Sequence, residues 1–97
     1  MATYITLMNF TDQGIRNVKD SPKRAEAFKE TAGKFGVTVK DIYWTLGRHD
    51  LIVTVEGPDD LSVTALGLAL GSMGNVRTQT LRAFGAEEMT QILGKIA

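Results

Sequence analysis

Two β-rich runs meeting at a four-residue corner constrain this chain more than any other feature. Asp41-Ile42-Tyr43-Trp44-Thr45-Leu46 and Leu51-Ile52-Val53-Thr54-Val55 are rich in β-branched and aromatic residues. Gly47-Arg48-His49-Asp50 between them leaves room only for a turn, so the two runs read as an antiparallel hairpin. The hairpin also collects the only Trp and the only His of the sequence.

A strand and a helix precede this hairpin, and a helix and a strand follow it. Thr3 to Phe10 reads as a strand with Ile5 and Leu7 on one face and Tyr4, Thr6, Met8 and Phe10 on the other. Both faces are largely apolar, which predicts a central strand covered on both sides. Thr11 or Asp12 then caps a short helical turn through Ile15 and Val18. Ser21-Pro22 reads as a helix start, with Ser as N-cap and Pro at the first helical position. Ala25, Phe28, Ala32 and Phe35 give that helix one apolar stripe, and Gly36 is placed to end it.

The second strand is expected over residues 37–46. Ile42, Trp44 and Leu46 share one face, Tyr43 and Thr45 the other. In the third strand Leu51, Val53 and Val55 oppose Ile52, Thr54 and Glu56. Gly57-Pro58-Asp59-Asp60 stops it and opens a helix over roughly 59–73, the acids suiting its positive end. That helix carries Leu61, Val63, Leu66, Leu68, Leu70 and Met73 on too many sides for a monomer's surface, and Gly67 and Gly71 permit close backbone approach. Residues 75–84 form a polar edge strand. A last helix follows with a stripe of Met89, Ile92, Leu93 and Ile96, packing on its own subunit or on another.

The order is β-α-β-β-α-β plus a terminal helix, an α+β fold of the ferredoxin-like kind in one domain spanning 1–97. Right-handed crossovers put strands 1 and 3 in the centre and both helices on one face. The other face is then expected to show Met8, Tyr43, Thr45, Ile52 and Thr54, a poor surface to leave in water. Pairing two such faces predicts a homo-oligomer built as a dimeric α+β barrel, enclosing a cavity for a small molecule.

Four stretches carry a resemblance: Thr11-Asp12-Gln13-Gly14-Ile15-Arg16, Lys19-Asp20-Ser21-Pro22-Lys23-Arg24, Asp41-Ile42-Tyr43-Trp44-Thr45-Leu46-Gly47 and Gly71-Ser72-Met73-Gly74-Asn75-Val76-Arg77-Thr78. They look like the GYD domain family of small bacterial and archaeal proteins. The Gly-Tyr-Asp motif that names the family corresponds to the Gly47–Asp50 corner, where this sequence has His49 in the tyrosine's place. The resemblance implies a ferredoxin-like fold and carries no catalytic residue over.

Composition narrows the function classes. The formal net charge is zero, so the chain as a whole is not built for nucleic acid or an anionic membrane. There is no cysteine, which removes disulfides and thiolate chemistry together. No apolar run approaches membrane-spanning length and no signal peptide is evident, so a cytoplasmic protein is expected.

Few side chains are suited to chemistry. His49 is either a general base at a barrel mouth or a turn residue tolerating an unusual backbone, with Asp50 bonding local amides. Arg77 is either a carboxylate anchor or a solubilising edge residue. Lys19, Lys23 and Arg24 cluster at the first helix start, where an anion would find both charge and helix dipole, although Asp12 and Asp20 lie among them. No metal site or cofactor is expected; haem on His49 is the one option these residues leave open. Two functions follow: an oligomeric small-molecule-binding or assembly module, or a cofactor-independent enzyme for a small aromatic or carbonyl substrate with His49 as base and Arg77 as anchor.

Overall fold

The protein is described over residues 1–96 by a computed structural model. β1 (Ala2–Phe10) is the spine of a four-stranded antiparallel sheet, pairing on one side with β3 (Leu51–Gly57) and on the other with β4 (Val76–Ala83). β2 (Thr38–Trp44) flanks β3, giving the order β2-β3-β1-β4. Strands 1 and 3 are central and β4 lies at an edge, as the alternation of the elements predicts.

Helix α2 (Ser21–Lys34) and helix α3 (Asp60–Ser72) cover one face of this sheet. That face carries Tyr4, Met8, Leu51, Val53 and Val55, all buried, against Phe28 and Ala32 of α2 and Val63 and Leu66 of α3. Burying a valine as completely as Val53 or Val55 stabilises the fold by about 1.5–3 kcal/mol. This one layer of contacts is the core. The other face has no cover among the described residues.

Local chemistry explains most boundaries. Thr11 accepts the Gly14 amide and caps α1 (Asp12–Arg16), after which Val18–Asp20 make a tighter 3-10 turn leading into α2. α2 ends in two reversed bonds, Val37 N–H to Ala32 O and Gly36 N–H to Gly33 O, with Gly36 at φ +73°. Asp59 caps α3 by accepting the Ser62 amide at 2.8 Å. Helix α4 (Ala86–Leu93) follows β4 after Phe84-Gly85, and Glu88 reaches back to the Gly85 amide at 3.4 Å.

Several sequence expectations change. Met8 is not on the open face: it pairs with Leu51 in register and lies buried under the helices, on the same side as Tyr4 and Thr6. Ser21 is not the N-cap of α2, because the preceding 3-10 turn leaves it already helical at φ −55° and ψ −42°. Its buried hydroxyl accepts the Trp44 indole N–H at 2.9 Å. Leu46 does not share the covered face with Ile42 and Trp44; the strand ends at Trp44 and Leu46 is fully exposed.

β2 is also irregular. Its register against β3 slips by one residue between Val39 and Asp41, so Lys40 bulges out. The slip lets Val39 and Ile42, three positions apart, both face the helices opposite Val55 and Val53. Lys40 bridges Glu56 at 3.3 Å.

Candidate functional site

The uncovered face of the sheet gathers Tyr43, Thr54 and Arg77 of the residues singled out in the sequence, with His49 at its end. Register places them in rows across the strands. Tyr43, Ile52, Leu7 and Gln79 form one row, and Asp41, Thr54, Ile5 and Leu81 the next. Ile5, Leu7, Ile52 and Thr54 are half-buried by their neighbours alone, while Tyr43 and Leu81 are exposed. The face is thus an apolar centre with a tyrosine at one side and polar groups around it.

At one end of this face the hairpin corner is fastened to β1. Asp50 Oδ2 accepts the Phe10 amide at 2.8 Å, and the Asp50 amide donates to Met8 O at 2.9 Å. The Thr45 hydroxyl donates to His49 O, so it braces the turn rather than facing a cavity. Gly47 is the corner residue with positive φ, at +97°, and no non-glycine residue in the described chain has one. His49 therefore does not occupy the unusual backbone position. Asp50 bonds the distant strand β1, not the local amides of its own turn.

His49 reaches instead to Asn9. Asn9 Nδ2 donates to Arg48 O at 2.7 Å, which leaves Asn9 Oδ1 as the acceptor facing His49 Nδ1 at 3.1 Å. A carbonyl only accepts, so this arrangement makes Nδ1 the protonated nitrogen of neutral His49 and leaves the lone pair on Nε2. Asn9 is also the register partner of Arg77. His49, Asn9 and Arg77 thus share one end of the open face, the imidazole bonded to the Asn9 side chain and Arg77 opposite Asn9 in register. Asparagine is a poor strand former, and its place in the middle of Leu-Met-Asn-Phe is the signal that would have marked it.

The basic cluster disperses. Lys19 and Lys23 are exposed, whereas Arg24 is half-buried and donates to Asn17 O at 2.8 Å and Gly14 O at 3.4 Å, bracing the turn before its own helix. Met8 and Arg24 line a cavity on the opposite side of the sheet from His49. No group of three or more metal-binding side chains occurs among the described residues.

Arg82 carries no role in the sequence reading, yet it organises the other end of the sheet. Its guanidinium lies 4.5 Å from the centre of the Phe84 ring and 5.6 Å from that of Tyr4, and it bridges Glu88 at 3.0 Å. The Arg82 bond holds the Glu88 carboxyl below its ordinary range, with the Gly85 amide adding to the effect. Tyr4 donates to Asp60 Oδ1, and this bond to the neutral phenol, with burial, raises the Tyr4 pKa. The Arg82–Glu88 bridge ties β4 to the first turn of α4, and the Tyr4–Asp60 bond ties β1 to α3. Beyond that bridge α4 packs on little of its own chain: Met89 and Leu93 are 45% and 52% exposed, and Ile96, which the expected stripe included, lies past the helix end at Leu93 and is 70% exposed.

No helix among the described residues is long and apolar enough to cross a membrane. A protein of Thermus thermophilus named glutamine synthetase and cystathionine beta-lyase binding protein is 36% identical over 90 residues, covering 92% of this chain and 95% of its own length. The model of the GYD domain matches residues 4–93. With that match spanning the hairpin corner, the open sheet face and α4 together, the chain belongs to the GYD domain family.

Proposed function

We propose that this protein is an assembly module that binds larger enzymes and associates with itself through the open face of its sheet. The observation that carries the reading is the amount of apolar surface this small chain leaves uncovered on three separate elements. The sheet presents Ile5, Leu7, Ile52 and Leu81; α3 presents Leu61 and Leu68, seven apart and 83% and 71% exposed; α4 presents Met89 and Leu93, with Ile96 just beyond it. Contiguous apolar surface of this kind marks interaction sites.

The strand order supports reading the fold as ferredoxin-like, with two open faces pairing into a dimeric α+β barrel. The helical stripes on the outside then remain for other proteins. The relative from Thermus thermophilus is named for binding a glutamine synthetase and a cystathionine β-lyase, and enzymes of those two kinds, in the cytoplasm, are the partners proposed here. Sedimentation velocity with each purified enzyme from the same organism tests this. Co-migration that Leu93→Lys abolishes is expected; a monomer that never migrates with either enzyme overturns the reading.

The row His49–Asn9–Arg77 favours a second reading, a cofactor-independent enzyme. His49 Nε2 would take a proton from a small carbonyl substrate while Arg77 holds its negative charge. Deuterium exchange into acetylacetone, followed by NMR, probes this directly. Exchange above the buffer rate that His49→Gln removes supports it, and exchange at the buffer rate sinks it.

A further inference from the structure

Between α2, α3 and the covered sheet face lies an apolar cavity of about 190 Å³, open to solvent on one side. Its floor is Met8, Leu51, Val53 and Val76, with Phe28 of α2 and Leu70 of α3 as walls. The cavity has a cause in the sequence. The inward stripe of α2 alternates large and small residues, and Ala25 and Thr31 stand where longer side chains would close the gap to α3. A space of this size lined by carbon forfeits dispersion contacts if empty. Apolar cavities of roughly 150 Å³ take up a benzene ring.

Four polar residues line the same space, of which Thr31 and Asn75 are bonded within the chain, to the Ala27 carbonyl and to Gln13. Arg24 is half-buried, and its bonds to Asn17 O and Gly14 O fix the guanidinium while using only two of its five N–H groups. No carboxylate pairs with it among the described residues. Ser21 accepts the Trp44 indole N–H, and its own hydroxyl proton is not committed to any described group. Arg24 lines this carbon-walled cavity and meets no carboxylate among the described residues, which suits an apolar body ending in a carboxylate.

We propose that this cavity is a binding site for a small carboxylic acid with an aromatic ring or short aliphatic chain, its apolar part against Met8, Phe28 and Leu70 and its carboxylate on Arg24. The site lies across the sheet from the open face, so it stands or falls independently of the assembly reading.

The four methionines of the chain provide the test. Met8 and Met73 line the cavity, and Met1 and Met89 do not. With methyl-¹³C methionine, titration of the full-length protein with benzoate or hexanoate should move the Met8 and Met73 signals saturably and leave Met1 and Met89 in place. Benzyl alcohol and hexanol should bind about tenfold more weakly, the worth of one charge-assisted hydrogen bond. Arg24→Gln should bring the acids down to the level of the alcohols. Ala25→Phe should abolish the shifts by filling the space with Arg24 intact. If neither variant folds, the comparison of acid with alcohol on the unsubstituted protein decides. The proposal is overturned by no saturable shift, by all four methionines moving alike, or by alcohols binding as tightly as acids.

Discussion

At the scale of single residues, two glycines with opposite surroundings give the sharpest expectation. A Cβ on Gly14 would lie 1.9 Å from the carbonyl oxygen of Asn75, backbone that cannot step aside. Gly14→Ala should therefore cost about 3 kcal/mol, at the upper end of overpacking effects. Gly33 sits near the end of α2 with nothing within 4 Å of the same position and no positive φ. Gly33→Ala should stabilise the protein by about 0.5–1 kcal/mol, by helix propensity and a less flexible unfolded chain. Urea denaturation of both variants checks the pair; equal and small effects would mean that the Gly14–Asn75 approach is not tight. The sequence around Gly14 shows only a glycine in a turn, because the partner carbonyl belongs to Asn75, far along the chain, and no local pattern encodes it.

At the scale of elements, helix starts tie stability to pH. The Asp59 carboxylate accepts the Ser62 amide, and that bond lowers its pKa below the ordinary value. The folded state then binds the proton less readily than the unfolded one. Its contribution is complete above the ordinary carboxylate pKa of about 4 and is lost as pH falls through the depressed folded value. Glu88, lowered by Arg82, acts in the same direction at the start of α4. Asp59→Asn keeps a capping oxygen but removes the titration, so its melting temperature should fall less steeply between about pH 5 and pH 2 than that of the unsubstituted protein. Parallel curves would assign the acid sensitivity elsewhere. The start of α3 was legible in Gly57-Pro58-Asp59-Asp60, though not that Asp59 is its cap rather than its first residue. The start of α2 was not: Ser21-Pro22 has the right residues, but the 3-10 turn before it makes Ser21 helical and turns its hydroxyl to Trp44.

At the scale of the whole molecule, the open sheet face and α4 separate folding from assembly. Neither contributes to the covered core, so polar substitutions there should change stability little and association much. Leu81→Arg, on the open face, should lower unfolding stability by less than about 0.5 kcal/mol, as exposed sites do. It should also dissociate any homodimer seen by sedimentation velocity at micromolar concentration. Leu93→Lys on α4 should leave self-association through the sheet intact and remove only the capture of a partner enzyme. If Leu81→Arg leaves the oligomer untouched, the open face is not its interface.

The sequence by itself determined the order of elements, the central place of β1 and β3, the covered stripe Leu51, Val53 and Val55, and the edge position of β4. Each follows from local periodicity, from turn residues, or from the handedness of crossovers. Only the tertiary structure decided which face Met8 joins, how Lys40 bulges to bring Val39 and Ile42 to the same side, and that Asn9 links His49 to the row of Arg77. It also decided that Arg24 leaves its basic neighbours to line a cavity. These depend on register between strands far apart in the chain and on the space left between two helices, quantities set by pairs of segments and written in neither segment alone.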